Sequence, residues 1–223
     1  MIRSTVTIPR SLMRVASIEW DIDWRGQSAG SANDGSSQLV YNRFPRWVGA
    51  ATLTLHGDAA RQWRAIKASA QGRVNIYRVP MFDPLNGGPA TPTEFRPSGV
   101  PFSTEENFSN GLGFEYAPFV RVVTGCAAGA AEIHVEEVSG PVRVGSHLSI
   151  NDWPFIVTWR DENGDGTVIL GVTLLRVTLA VGDQIEMRAH GLFAADSDDM
   201  GRMPYGGSRA YAPALNFTEY LNR

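Results

Sequence analysis

The sequence predicts a mainly β protein: an antiparallel β-barrel or sandwich with one flanking α-helix, plus a small inserted β module. Three observations predict it. Val15 to Trp24 alternates apolar and polar residues with period two. Residues 59–71 switch once to helical spacing. Residues 119–190 repeat short alternating runs broken by turn residues, among them Asn163-Gly164 and Asp165-Gly166.

In the first run, Ile18, Trp20, Ile22 and Trp24 fall on one strand face and Glu19, Asp21 and Asp23 on the other. A half-buried antiparallel strand accounts for that pattern. Arg25 to Ser37 is rich in glycine and serine and reads as a long polar loop suited to contacts. Trp47 to His56 reads as a strand. Asp58 is expected to cap a helix over 59–71. Ala59, Trp63, Ile66 and Ala70 form its apolar stripe, Arg61, Arg64 and Lys67 lie outside, and Gly72 stops it. This is the one helix the pattern predicts. A strand over 73–79 ends at Pro80.

The prolines and glycines of 81–118 deny that stretch long regular elements, so an extended connection is expected. Strands are expected at 119–124, 131–138, 146–150, 153–160, 167–171 and 184–190. Residues 191–211 read as loop, and Ala214 to Leu221 as a strand returning to the first sheet. The expected organisation is a core domain of 1–118 and 191–223, interrupted by an inserted β domain of 119–190.

Composition narrows the function classes. Of 223 residues, 43% are hydrophobic and 19% charged, which suits a folded chain rather than a disordered one. A formal net charge of -3 offers no bulk attraction to nucleic acid or to an anionic membrane. No apolar run approaches the roughly 18 residues of a membrane span. Met1 to Pro9 lacks the apolar core and cleavage site of a signal peptide. The single cysteine, Cys126, excludes an intrachain disulfide and a cysteine-based zinc site, and suits a reducing cytoplasm.

No catalytic, cofactor-binding or metal-binding residue is assigned, and the chain does not read as an enzyme. Asp161, Asn163, Asp165 and Gly166 match the start of a calcium loop. Position twelve is Val172 and the flanks are strands, so a hairpin turn is expected. Asp196, Asp198 and Asp199 read as a solvated or salt-bridging loop. His56, His134, His147 and His190 are dispersed without metal-ligand spacing, and His134 is expected on an exposed strand position. A serine nucleophile is expected on a sharp turn such as G-x-S-x-G, and that pattern is read as absent. Glu19, Asp21 and Asp23 share one strand face, with no opposing acid for two-carboxylate hydrolysis. Cys126 sits in a small-residue turn and reads as a packed residue. Trp20, Trp24, Trp47 and Trp63 are expected in the core. Trp153 and Trp159 are expected to share one hairpin face, as core or as a binding platform.

Three stretches carry a resemblance. The first is Ala51-Thr-Leu-Thr-Leu55, running into Ala60-Arg-Gln-Trp-Arg-Ala-Ile-Lys67 and Gly72-Arg-Val-Asn75. The second pairs Ser98-Gly-Val-Pro-Phe-Ser103 with Asn107-Phe-Ser-Asn-Gly111. The third runs from Gly145-Ser-His-Leu-Ser-Ile-Asn151 to Val181-Gly-Asp-Gln-Ile-Glu186. With these the chain resembles the distal tail proteins, tail-tip structural proteins of bacteriophages with long non-contractile tails. The resemblance implies a homo-hexameric ring that joins the tail tube protein to the tail hub. The ring would leave a channel for DNA in transit and for the tape-measure protein. It implies location in the virion tail, synthesis in the bacterial host cytoplasm, no cofactor and no membrane insertion. Acidic residues facing the channel would keep DNA from adhering. The alternative is a carbohydrate-binding or host-recognition module of a tail or baseplate protein.

Overall fold

The computed structural model describes all residues except 1–2, 14–16, 32, 34, 42–43, 84–103, 105, 107, 110–116 and 204–209. The expected extended connection over 81–118 therefore lies mostly outside the described residues. So do Ser98 to Ser103 and most of Asn107 to Gly111. The chain divides into two compact units, Met1–Phe82 with Gly191–Arg223, and Asp83–His190. The fold is mainly β, with a closed barrel and a flanking helix.

The first unit is built on a six-stranded sheet. In chain order its elements are β1 (Thr5–Thr7), α1 (Arg10–Met13), β2 (Ser17–Asp23), β3 (Gln27–Ser31), β4 (Ser37–Val40), β5 (Arg46–Thr52), β6 (Leu55–His56), α2 (Gly57–Ala70) and β7 (Ile76–Pro80). Strands β14 (His190–Ala195), β15 (Ala210–Tyr211) and β16 (Ala214–Glu219) complete it. The sheet order is β1-β7-β14-β16-β5-β2. Strand β1 runs parallel to β7, whereas β14, β16, β5 and β2 pair antiparallel. The strand expected over 214–221 is β16, and it does return to this sheet, between β14 and β5.

The helix forms where the spacing changes. Ala60, Trp63, Ile66 and Ala70 are buried, and Trp63 is fully enclosed at 0% exposure. Covering an indole removes roughly 150–250 Å² from water, worth about 4–6 kcal/mol. The Trp63 Nε1 donates to the Gly201 carbonyl at 2.9 Å, so its polar edge is satisfied as well. The start differs from expectation. His56 is the N-cap and makes no side-chain capping bond, while Asp58 lies within the first turn and pairs with Arg61 at 3.0 Å. There it still favours the positive helix end. The stop uses two left-handed residues, Gln71 at φ 52° and Gly72 at φ 67°.

Four other expectations are corrected. Residues 25–37 are not one loop: β3 and β4 pair as an antiparallel hairpin with a bulge between Ser28 and Ser31. Every residue of β3 is exposed, so no burial period marked it as a strand. Residues 191–211 are not all loop, because β14 is an interior strand whose Phe193 and Ala195 are buried. Its run of small and apolar residues lacks polar alternation, as an interior strand allows. The four-residue helix α1 adds a second helix. Trp24 is 54% exposed, because the strand ends at Asp23 and Arg25 turns the chain at φ 51°.

The second unit is a closed barrel of β8 (Phe119–Thr124), β9 (Glu132–Glu136), β10 (His147–Ile150), β11 (Trp153–Glu162), β12 (Thr167–Thr173) and β13 (Gln184–Glu186), in the order β10-β11-β12-β9-β8-β13. Antiparallel pairing of β13 with β10 closes it. Inward side chains such as Val122, Val135, Phe155, Val157, Leu170 and Ile185 fill the interior. Closure leaves no open sheet edge, which a small β unit otherwise has to protect.

Candidate functional site

Two surfaces bring together residues with chemistry, one on each unit. On the six-stranded sheet, Glu19 and Asp21 line a shallow concavity of about 340 Å³ with Val48, Ala50, Asn216, Thr218 and Asp196. Pairing explains the arrangement. Glu19 stands opposite Ala50 and Asp21 opposite Val48 on β5, which in turn face Asn216 and Thr218 on β16. Small side chains floor the trough and carboxylates rim it. Asp196, just past β14, is three strands from β2, about 14 Å at the usual strand spacing. Two-carboxylate glycoside hydrolysis requires about 5–9.5 Å, so this pair does not supply that geometry. Asp23 is engaged elsewhere, paired with Arg46 at 3.1 Å.

The barrel's outer face is the second surface. A bulge between Val157 and Trp159 shifts the pleat of β11 by one residue. Phe155 and Val157 point into the barrel at 1% exposure, while Trp159 points out at 42%. Trp153, before the bulge, is half-buried beside the Arg176 guanidinium, 5.8 Å from its ring. The two tryptophans expected on one face are therefore on opposite faces. Trp159 lies on Gly171: a Cβ there would meet Nε1, Cδ1 and Cε2 at 2.0, 2.2 and 2.4 Å. Three adjoining ring atoms at nearly equal distance mean that a ring face, not an edge, covers the glycine.

Beside Trp159 the pairing aligns Asp161, Ile169, His134 and Thr124 across β11, β12, β9 and β8. His134 is half-buried rather than exposed. Its Nδ1 meets Thr124 Oγ1 at 3.2 Å and its Nε2 meets Thr167 Oγ1 at 3.0 Å, with Asn163 Nδ2 alongside. Asp165 accepts bonds from the Thr167 hydroxyl at 2.7 Å and its N–H at 3.0 Å, which hold the carboxyl below the usual range. Asp161 to Gly166 thus builds the β11–β12 hairpin turn, with Gly166 at φ 85°.

The remaining candidates are structural in their contacts. Asp198 engages Arg73 through Nε at 3.1 Å and Nη2 at 3.4 Å, which lowers the carboxyl and raises the guanidinium. Asp199 accepts from the Ser197 hydroxyl at 2.7 Å. The acidic loop of 196–199 therefore bridges to this chain's own arginine. Cys126 is half-buried against the barrel core, and burial pushes its thiol up, away from nucleophilic character. His147 lies 3.5 Å from Asp83, and burial outweighs that carboxylate in lowering its pKa. His190 Nδ1 and Ser149 Oγ both meet Glu186 Oε2, at 3.3 and 3.0 Å. Ser149 is fully buried and bonds the carboxylate rather than the imidazole, which is not a nucleophile–base arrangement.

One motif escaped the sequence reading. Gly26-Gln-Ser-Ala-Gly30 has the form G-x-S-x-G. Ser28 lies within the exposed strand β3, not at a strand-to-helix turn, and its Oγ accepts from the Gly30 N–H at 3.3 Å. The context that a nucleophile elbow requires is missing there. No group of three or more metal-ligating side chains converges among the described residues. No family model matches the chain, and no curated protein matches it at a significant level.

Proposed function

We propose that this chain is a structural component of a phage tail tip, a distal tail protein whose copies form a ring between tail tube and hub. The observation that carries the reading is the β3–β4 hairpin. Among the described residues it pairs with no other sheet, and Leu39 and Val40 of β4, with Tyr41 and Phe44 just after it, are 55%, 57%, 79% and 64% exposed. A two-stranded hairpin is marginal in water by itself. Four large apolar side chains exposed within six residues suit a segment that is covered in an assembly.

Ring assembly is heterologous, one patch against a different one. The hairpin is one such patch. Among the described residues, strands β1 and β2 end the six-stranded sheet and offer open edges for another. The acidic trough of Glu19, Asp21 and Asp196 suits a lumen through which DNA passes without adhering. Partners on this reading are further copies of the chain, the tail tube protein, the hub and the tape-measure protein. Its location is the virion tail.

Negative-stain imaging of the purified chain at high concentration tests the reading. Closed rings with a central hole are expected. Isolated single particles, alone and with tail tube protein added, contradict it.

A further inference from the structure

We propose that the outer face of the barrel around Trp159 binds neutral carbohydrate, with the indole as the stacking platform. This inference rests on the barrel alone and is independent of ring assembly. The ring is seated on the sheet. With Nε1 only 2.0 Å from the place a Gly171 Cβ would take, the indole lies roughly 3.5 Å above the backbone, in van der Waals contact. One ring face is occupied by the sheet and the ring remains 42% exposed. A flat, immobilised aromatic face loses little entropy when a sugar's C–H face stacks on it.

Polar groups surround the ring. Gly171 is paired with Trp159 on one side and with Glu132 on the other. Glu132 is therefore about 4.8 Å beyond the glycine, and Asp161, two residues along β11, is about 6.8 Å from Trp159. Both carboxylates are exposed and accept hydroxyl hydrogens. The Thr124–His134–Thr167 chain fixes a further polar row at one edge. An apolar platform flanked by acceptors is what a polyhydroxylated ring requires.

Charge selects the ligand class. The two arginines of these four strands are engaged, Arg121 with Glu136 at 2.9 Å and Arg160 with Glu137 at 3.0 Å. Among the described residues of these strands both cations are paired with carboxylates and Glu132 and Asp161 add negative charge, so the face disfavours phosphate, sulfate and carboxylate ligands and favours neutral ones.

Titration of the full chain with chitohexaose, maltohexaose and mannohexaose, followed by tryptophan fluorescence, tests the proposal, with heparin as the polyanion. Saturable binding of at least one neutral oligosaccharide is expected. Trp159→Ala weakens it by about tenfold or more. Gly171→Ala weakens it comparably, because it keeps the indole and removes its seat, whereas Trp153→Ala binds as the parent does. Saturation by none of the three sugars, binding of heparin alone, or equal binding by Trp159→Ala overturns the proposal. So does a concentration-dependent mass that disappears in Trp159→Ala, which assigns the face to contacts between copies.

Discussion

Trp20 on the six-stranded sheet and Trp159 on the barrel are seated in the same way and finished differently. Each lies over a glycine of the neighbouring strand. A Cβ on Gly49 would meet Trp20 Cζ3 at 2.2 Å, and one on Gly171 would meet Trp159 Nε1 at 2.0 Å. Trp20 is then half-buried among aromatics, with Phe193 at 5.1 Å and Phe217 at 6.4 Å between ring centroids, and its Nε1 bonds the Phe82 carbonyl at 3.3 Å. Trp159 stays 42% exposed. A glycine seat fixes where an indole lies. What covers its other face decides whether it holds the fold together or meets a ligand.

That contrast sets an order of expected stability effects in urea unfolding. Trp63→Ala removes a wholly enclosed indole and its hydrogen bond to Gly201 and is expected to cost about 3–5 kcal/mol. Gly49→Ala forces Trp20 against Phe193 and Phe217 and is expected to cost about 1–3 kcal/mol. Gly171→Ala meets a ring with solvent beyond it and is expected to cost less than Gly49→Ala. Equal costs break the comparison. Trp159→Ala removes a partly covered indole and is expected to cost about 1 kcal/mol, well below Trp63→Ala. A loss comparable to that of Trp63→Ala makes Trp159 a core residue.

The smallest effect is one of pH. Burial lowers the His147 pKa below its ordinary 6.5, so the folded barrel favours the neutral imidazole more than the unfolded chain does. Unfolding then takes up protons. The stabilising contribution is full above pH about 6.5 and is lost as pH falls towards the folded value. Barrel melting temperatures at pH 5 and pH 8 are expected to differ more in the parent than in His147→Gln. An identical difference in both removes His147 from the account.

The fold was legible where burial leaves a period. Strands β8 to β12, the α2 stripe and the return of β16 follow from alternation, helical spacing and turn residues such as Asn163-Gly164. The β3–β4 hairpin was not legible, because an exposed strand has no inward face to enrich in apolar residues. The candidate sites were legible only in part. Period two carried Trp159 onto the face of Phe155 and Val157, and the bulge at residue 158 reverses it without a sequence mark. Asp196 and Glu19 meet one trough from positions far apart in sequence, through the strand order alone.

The most direct test of assembly through the hairpin is the mass of the full chain by light scattering, beside that of Leu39→Asp/Val40→Asp. A ring-sized species is expected for the parent and a monomer of unchanged β content for the variant. A parent that stays monomeric with tail tube protein present, or a variant that assembles as the parent does, contradicts it.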